Sequence, residues 1–204
     1  APAEVRLQVG PLSLPTANPF GTDLQDIRLS VRSGEIVGIA GVSGNGQQEL
    51  LKALSGETLL DEADAVRIEG RPAARLNPAQ RRAMGFGFVP EERLGRGAVP
   101  GMSLAENALL TGYVPRGGER MVRAGLIRHD AVRDFARRVI ARFGVKCGSE
   151  QSAAASLSGG NLQKFIVGRE TSLDPRVIVV AQPTWGVDVG AAMLIRQAII
   201  ALRD

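Results

Sequence analysis

The first segment of this chain whose residue types could do chemistry is a glycine-rich loop at 41–46. It lies between a short apolar run, 36–40, and a stretch with helical spacing that begins near Gln47. Such a loop presents backbone N–H groups and the positive end of a helix dipole to an anion, so it could bind phosphate. A purely structural turn between a strand and a helix would explain the glycines equally well. The residues of the candidate cradle are Gly41, Ser43, Gly44, Asn45 and Gly46.

The residues after this loop lack the side chains that complete a phosphate loop. The full pattern has a lysine and then a serine or threonine directly after the last glycine. Here those positions hold Gln47 and Gln48, followed by Glu49. A glutamine amide carries no positive charge and offers no hydroxyl to magnesium. The sequence therefore predicts a backbone cradle that has lost its cation and its magnesium ligand.

A second candidate is the start of a predicted helix within 156–164. A serine followed by two glycines could be no more than an N-cap, because serine is a favoured capping residue. The residues of this segment that bear on function are Leu157, Ser158, Gly159, Gly160 and Asn161.

Three shorter segments complete the set. An apolar run at 177–180 is followed by Ala181 and Gln182, and a Gly-Val-Asp sequence ends at Asp188. Earlier in the chain, a Val-Pro pair that follows another apolar run precedes Glu91.

In order and spacing, these segments resemble the motif set of the ABC ATPases, and the resemblance covers nearly all of the chain. It matches 41–48 to the Walker A loop, 157–161 to the signature motif, 177–182 to the Walker B region and Asp188 to the D-loop. Glu91 stands where the family has its Q-loop glutamine. Ala181 and Gln182 stand where the family has an aspartate and the catalytic glutamate, so the resemblance implies no competent catalytic residue in this chain.

The residues around the signature and Walker B segments narrow the resemblance. Asn161 to Lys164 after the two glycines, and Ala-Gln-Pro-Thr at 181–184, are similar to the second ATPase domain of the double-domain importers for simple sugars and nucleosides. The family's final strand and the segments beyond it have no counterpart in 1–204, so we expect an incomplete core sheet. The sequence cannot name the transported molecule, because selectivity in this family belongs to other subunits.

The resemblance implies a division of labour between two domains. In the family, two such domains pack head to tail, and each ATP lies between one domain's phosphate loop and the other's signature motif. Ser158 to Asn161 would complete the ATP site of a partner nucleotide-binding domain, in the same polypeptide, whereas the chain's own site would be silent or nearly so. The assembled transporter would use ATP and Mg²⁺ at the cytoplasmic face of the membrane, with permease subunits and, indirectly, a substrate-binding protein as further partners.

Hydrophobic periodicity predicts an α/β fold. In family terms this is a P-loop NTPase core with an antiparallel β subdomain and a helical subdomain. We expect antiparallel β and the first part of the core over 1–100, the helical subdomain over 101–150, and the signature helix, Walker B-like strand and D-loop over 151–204. The predicted strands are 4–9, 26–31, 36–40, 65–69, 86–89 and 177–180, and the predicted helices are 78–84, 159–171 and 190–202, with two helical segments within 103–143 separated by a Gly- and Arg-rich loop at 115–120.

Composition excludes several other classes. The net charge is only +4 and aromatic residues make up 4% of the chain, so basic residues are not interleaved with stacking aromatics and nucleic acid is not an expected partner. The apolar runs are too short to cross a bilayer. One cysteine, Cys147, cannot form an internal disulfide, and His129 is expected to open a helix at the surface, so no metal site is predicted. Phe20 is the best-placed aromatic residue to stack on adenine, although a packing role is as compatible with its position.

Three rival functions stay open at this point. The chain could be a regulatory module that binds nucleotide without hydrolysing it. It could also be an ABC protein that acts on nucleic acid or ribosomes, which the sparse aromatic residues and missing coiled coil disfavour. An independent hydrolase would need a replacement for the loop lysine, and the sequence offers none.

Overall fold

The computed structural model describes residues 3–16, 18–114 and 120–203. The chain divides into two compact units, the first formed by 1–86 with 203–204 and the second by 87–202. Most of the predicted loop at 115–120 lies outside the described residues. Each unit is described below by itself.

The first unit is built on a four-stranded antiparallel sheet with the order β2-β1-β3-β4. The strands are β1 (Val5–Leu14), β2 (Leu24–Arg32), β3 (Val66–Ile68) and β4 (Arg71–Pro72). In β1 and β3, alternate apolar side chains are buried, as the period of two requires. The predicted strands at 4–9, 26–31 and 65–69 are confirmed, and β1 continues past the predicted end through register shifts against β2.

The predicted buried strand at 36–40 is wrong. The segment has no strand assignment, and Ile36, Val37 and Ile39 are exposed. A strand forms only where a neighbour accepts its backbone hydrogen bonds, and no described strand pairs with this one. The apolar run was therefore not sufficient evidence for a buried strand.

Two helices complete the first unit. Helix α1 (Gln47–Ser55) follows the glycine loop, and α2 (Pro78–Ala83) begins after a capping box. In that box the Asn77 side chain accepts from the Gln80 N–H at 3.0 Å, and the Gln80 side chain accepts from the Asn77 N–H at 2.9 Å. The helix predicted at 78–84 is confirmed.

In its described residues, the second unit contains a two-stranded sheet, a hairpin and four α-helices. Strand β5 (Phe86–Val89) pairs with β8 (Val177–Val180). Both strands were predicted from the sequence. The helices are α3 (Leu104–Gly112), α4 (His129–Arg142), α5 (Gly159–Ser172) and α6 (Val189–Ala201). They confirm the predicted helical segments, and exposed His129 opens α4 as expected. The antiparallel hairpin of β6 (Val122–Arg123) and β7 (Leu126–Ile127) was missed, because two-residue strands leave no periodic signal.

The core of the second unit lies between α3, α4 and α5. Helix α3 begins at a capping box in which Ser103 and Glu106 exchange hydrogen bonds. Helix α5 is buried along most of its length. The central buried apolar residues are Leu104, Ala108, Val132, Phe135, Val139, Leu162, Phe165 and Ile166.

A fully buried guanidinium holds the first unit together at the end of α1. Arg81 donates to the carbonyl oxygens of Ala53 and Leu54 at 2.5 and 2.6 Å, in the last turn of α1. It also donates to the carbonyls of Leu76 and Ala74 at 2.9 and 3.0 Å. Burial lowers the pKa of Arg81 to about 10, which leaves it charged at neutral pH. The charge is thus satisfied by carbonyl dipoles, including those at the negative end of a helix.

Replacing Arg81 should destabilise the protein strongly. Arg81→Ala leaves buried carbonyls without donors, and we expect a loss of at least about 3 kcal/mol in the free energy of unfolding by urea denaturation. Arg81→Lys keeps the charge but not the planar fork, so we expect an intermediate loss. Arg71→Ala, at an exposed position in β4, is the matched control and should stay within about 0.5 kcal/mol of the parent. An Arg81→Ala variant as stable as this control would contradict the account.

Candidate functional site

The glycine loop at 41–46 is exposed except for its last residue and leads directly into α1. Gly44 and Gly46 have φ angles of 90° and 92°, which favour glycine. A Cβ on Gly46 would lie 2.9 Å from Leu24 Cδ2, so a larger residue there would also have to displace this side chain. The Gly46 carbonyl accepts from Leu50 N–H at 2.9 Å, and this bond starts the helix. The backbone therefore has the form of a loop that could cradle an anion.

The Gln47 side chain folds back onto this loop. Its Oε1 accepts from the Asn45 N–H at 3.0 Å, and its Nε2 donates to the Val42 carbonyl at 3.0 Å. The Asn45 side chain donates to the same carbonyl at 3.1 Å. Gln47 Nε2 also lies 2.7 Å from where a Cβ on Gly41 would stand. One of the N–H groups that could bind an anion is thus already paired with a neutral amide.

The next residues add no cation to the loop. Gln48 is exposed, and the Glu49 carboxylate lies at 3.4 Å from the Thr22 N–H, which donates to it. The Thr22 hydroxyl donates to the Gly44 carbonyl at 2.7 Å and holds the outer side of the loop. Thr22 thus contacts both the loop and the Glu49 carboxylate, an anion that would repel phosphate.

Phe20 projects into solvent. Its side chain is 95% exposed, and its N–H donates to Asn18 Oδ1 at 3.0 Å. The packing role considered from the sequence is therefore excluded. Stacking on a nucleotide base stays a prediction.

In the second unit, the signature segment forms the start of α5. Ser158 is the N-cap, and its hydroxyl accepts from the N–H of Asn161 at 3.4 Å and from the Asn161 side chain at 3.0 Å. Asn161 Oδ1 accepts from the Lys146 N–H at 2.9 Å. Leu157 packs against the core, whereas Gly159 is exposed and Gly160 is half-buried. A capped helix N-terminus with two glycines can approach an anion closely.

The segment after β8 contains the positions matched to the catalytic carboxylates and the D-loop. Ala181 is buried, and its N–H donates to the Val89 carbonyl at 2.9 Å. Gln182 is exposed with a φ of 44°. Asp188 caps α6 by accepting from the Ala191 N–H at 2.9 Å, and this hydrogen bond is the main reason why its pKa lies below the ordinary value. The structure brings Asp188 and the signature together, since its Oδ2 is 3.9 Å from a Cβ position on Gly160.

Glu91, at the Q-loop position, is exposed. Two residues further on, Arg93 makes contacts that the sequence did not predict. Its Nε donates to Gln163 Oε1 at 3.2 Å, and its Nη2 donates to the Trp185 carbonyl. A Cβ on Gly159 would lie 2.7 Å from Arg93 Nη1. The only sequence signal was one arginine directly after two glutamates, which is typical of a solvated surface.

The residues at the chain's own phosphate loop do not fit a magnesium–ATP complex. Gln47 carries no positive charge and Gln48 no hydroxyl, so neither supplies the group that a phosphate loop offers to such a complex at these positions. Within the described parts of the chain, no group of three or more His, Cys, Asp or Glu side chains could hold a metal ion.

Comparisons with known proteins identify a family for nearly the whole chain. The family model described as "ABC transporter" matches residues 24–185. The nucleoside import ATP-binding protein NupA of Lactococcus lactis is 37% identical over 204 residues, which are 100% of this chain and 39% of NupA. The ribose import ATP-binding protein RbsA 1 of Rubrobacter xylanophilus is 40% identical over 186 residues, 89% of this chain and 35% of that protein. The chain therefore spans about two fifths of the length of these relatives.

Solved structures agree on the fold. A dimeric ATP-binding cassette in a post-hydrolysis state bound to ADP and Pi superposes with a TM-score of 0.77, covering 97% of this chain and 83% of that one at 20% identity. A nucleotide-free cassette from an ABC transporter gives a TM-score of 0.72 at 20% identity, covering 98% of this chain and 77% of that one. The predicted fold class, an ABC-type P-loop NTPase fold with an antiparallel sheet and helices, is confirmed.

The two signature glycines should respond differently to alanine. Nothing lies closer than 3.9 Å to a Cβ on Gly160, so Gly160→Ala should raise the free energy of unfolding by up to about 1 kcal/mol through helix propensity. Gly159→Ala would displace the Arg93 guanidinium and should not give this gain. Urea denaturation of both variants tests the difference, and equal gains would show that Arg93 does not depend on the space at Gly159.

Proposed function

The chain belongs to the ABC transporter ATP-binding family, and on that premise we propose that it is one nucleotide-binding half of an importer ATPase. The transported molecule would be a simple sugar or a nucleoside, the substrates in the names of its relatives NupA and RbsA. In this proposal the chain is the second ATPase domain of a double-domain protein. It covers 39% of NupA, which leaves room there for another domain of similar size.

The observation that carries the proposal is the Gln47 side chain in the phosphate loop. It accepts the Asn45 N–H at 3.0 Å and supplies no charge, so phosphate would have to displace it without gaining a cation. Hydrogen bonds to charged groups contribute about 1.5–3 kcal/mol each, and the missing lysine and magnesium ligands remove several of them. The chain's own site therefore binds nucleotide weakly or not at all. Without a carboxylate at 181 or 182, it does not hydrolyse ATP.

The signature segment is the part of the chain that acts on ATP. Ser158 to Asn161 stand at the start of a capped helix whose dipole favours a γ-phosphate. Asp188 lies beside them and belongs to the same face offered to the partner domain. The lysine and carboxylates of this working site belong to the partner half, so hydrolysis requires both halves.

The second unit also carries the contacts to the membrane subunits. Leu110 on α3, Tyr113 directly after it, and Leu126 and Ile127 on the hairpin are exposed apolar or aromatic side chains in the helical subdomain, 101–150. Such residues suit docking onto the cytoplasmic side of permease subunits, which in turn meet a substrate-binding protein. Within the described ranges, no helix combines the length and apolar character needed to cross a membrane.

A second candidate function is a nucleotide-sensing module that binds ATP without turnover. The glycine-rich loop backbone at 41–46, which leads directly into α1, favours this function. Two features weigh against this function: the Gln47 amide that bonds across the loop, and the nearby Glu49 carboxylate.

Calorimetry distinguishes the two functions. We expect no saturable heat when ATP-Mg is titrated into this chain alone, and tighter binding by a Walker-competent partner half once the chain is added. A chain carrying Ser158→Ala should lose most of that enhancement, because the capped helix start contributes to the shared site. Micromolar binding by the chain alone would favour the sensing module. If the Ser158→Ala chain raised the partner's ATP affinity as much as the parent does, the proposal that the signature segment completes the partner's ATP site would be refuted.

Restoring the loop should restore binding without hydrolysis. The double change Gln47→Lys with Gln48→Thr removes the amide that closes the loop and supplies the cation and hydroxyl. We expect ATP-Mg affinity to rise at least about tenfold, or about 1.4 kcal/mol, with no turnover because 181 and 182 still lack carboxylates. Gln48→Thr alone leaves Gln47 in place and serves as the control. Equal affinity in the parent and the double variant would show that the loop is not the defect.

A further inference from the structure

Arg93 connects three segments of the second unit that are far apart in the sequence. It follows the Glu91 position and donates to Gln163 on α5 and to the Trp185 carbonyl in the segment after β8. Its Nη1 occupies the space beside Gly159, and its Nη2 lies 3.3 Å from a Cβ position on Gly186. Both glycines therefore leave room for the same guanidinium.

Gln163 extends this connection. Its side chain is buried, its Oε1 accepts from Arg93, and its Nε2 donates to the Pro183 carbonyl at 3.0 Å. Arg93 thus reaches the segment at 183–186 both directly and through Gln163. The first turns of α5 are tied to that segment by two hydrogen-bonded routes.

The loop that carries Arg93 is itself fixed on α5. Its backbone closes on itself, since the N–H groups of Gly97 and Ala98 donate to the carbonyls of Glu92 and Arg93 at 2.9 and 2.7 Å. Buried Arg169 donates to the Gly97 carbonyl at 2.8 Å, and a Cβ on Gly97 would lie 2.9 Å from Ile166 Cδ1. Residues 163, 166 and 169 are three apart and share one face of α5. The base of the Arg93 side chain is therefore anchored independently of its tip.

We propose that Arg93 is a positioning residue that makes the signature start of α5 and the segment 183–188 move as one body with the Glu91 loop. This inference rests on the proposed function, in which the signature and Asp188 are offered together to a partner's ATP. In this proposal Arg93 acts through these segments, since its Nε and Nη2 donate to Gln163 and to the Trp185 carbonyl. A change at the Glu91 loop then reaches both partner-facing segments together.

The functional test is ATPase kinetics of the transporter assembled with its membrane subunits in lipid vesicles. Arg93→Ala should lower kcat by about 10- to 100-fold, because misplaced catalytic groups cost that much, while KM for ATP changes less than about threefold. Gln163→Leu keeps the arginine but removes the connection, so it should have the same effect, and the double variant should be no worse than either single one. Arg93→Lys should recover part of the loss. Exposed Arg176→Ala is the control and should behave as the parent.

Hydrogen exchange of the same assembled protein, without ATP, tests the connection itself. The Leu162 N–H reports the first turn of α5 and the Ala192 N–H the first turn of α6, through their bonds to the Ser158 and Asp188 carbonyls. In Arg93→Ala both should exchange faster, whereas amides in α4 should not change. General destabilisation would instead raise exchange in α4 as well.

The outcomes separate this proposal from the proposed function. Faster exchange at both helix starts, with the kcat loss, supports it. Unchanged exchange at either start, or kcat equal to that of Arg176→Ala, overturns it. If Ser158→Ala leaves ATPase activity unaltered, the proposal that the signature segment completes the partner's ATP site fails. The exchange experiment still decides whether Arg93 couples the two segments.

Discussion

The second unit depends on how α5 satisfies polar side chains inside an apolar core. Arg169 and Glu170 are both buried, with 3.0 Å between Arg169 Nη2 and Glu170 Oε1. Arg169 also donates to the carbonyls of Asn107 and Gly97. A buried charge is tolerated only when its hydrogen bonds are made, so the positions of these partners are tightly constrained. Asn107 in turn bonds the backbone of Val99 through both ends of its amide. The start of α3, the 92–98 loop and α5 therefore have one mutual arrangement, and the signature is built on it.

The first unit solves a different problem with the same chemistry. Arg81 uses its donors on the last carbonyls of α1, and Gln47 uses its amide on the loop before α1. Side chains of the protein thus bond the last turn of this helix and close the loop before it, although the N-cap residue Gly46 supplies no side-chain hydrogen bond. On the proposed function, the N-terminal end would otherwise bind phosphate. A loop closed by its own amide can keep its shape without a ligand.

The sequence predicted those elements whose signal is local. Strands 86–89 and 177–180 are apolar runs with described partners, and Ser158 precedes a helix as a favoured N-cap should. The run at 36–40 is also apolar but lacks a described partner strand, and composition alone could not reveal that. Arg81 and Arg93 were missed for a related reason: their roles depend on carbonyls 5 to 92 residues away in the chain. The signature and loop residues were recognised through a resemblance, whereas the closure by Gln47 required coordinates.

The residues of the signature segment and the D-loop differ in whether they also have a structural role in this fold. Ser158 caps α5, Asp188 caps α6, and Gly159 leaves room for Arg93, so each of these has a structural reason to be present. The presence of these three residues therefore does not by itself indicate that they act on ATP. Gly160 is different, because outside its own helix turn no described atom lies closer than 3.9 Å to its Cβ position, and a glycine there weakens the helix. A glycine that costs stability without a packing reason indicates that a ligand or a partner comes close to the backbone there. Gly160 therefore supports the proposal that the signature segment completes a partner's ATP site more strongly than the capping residue Ser158 does.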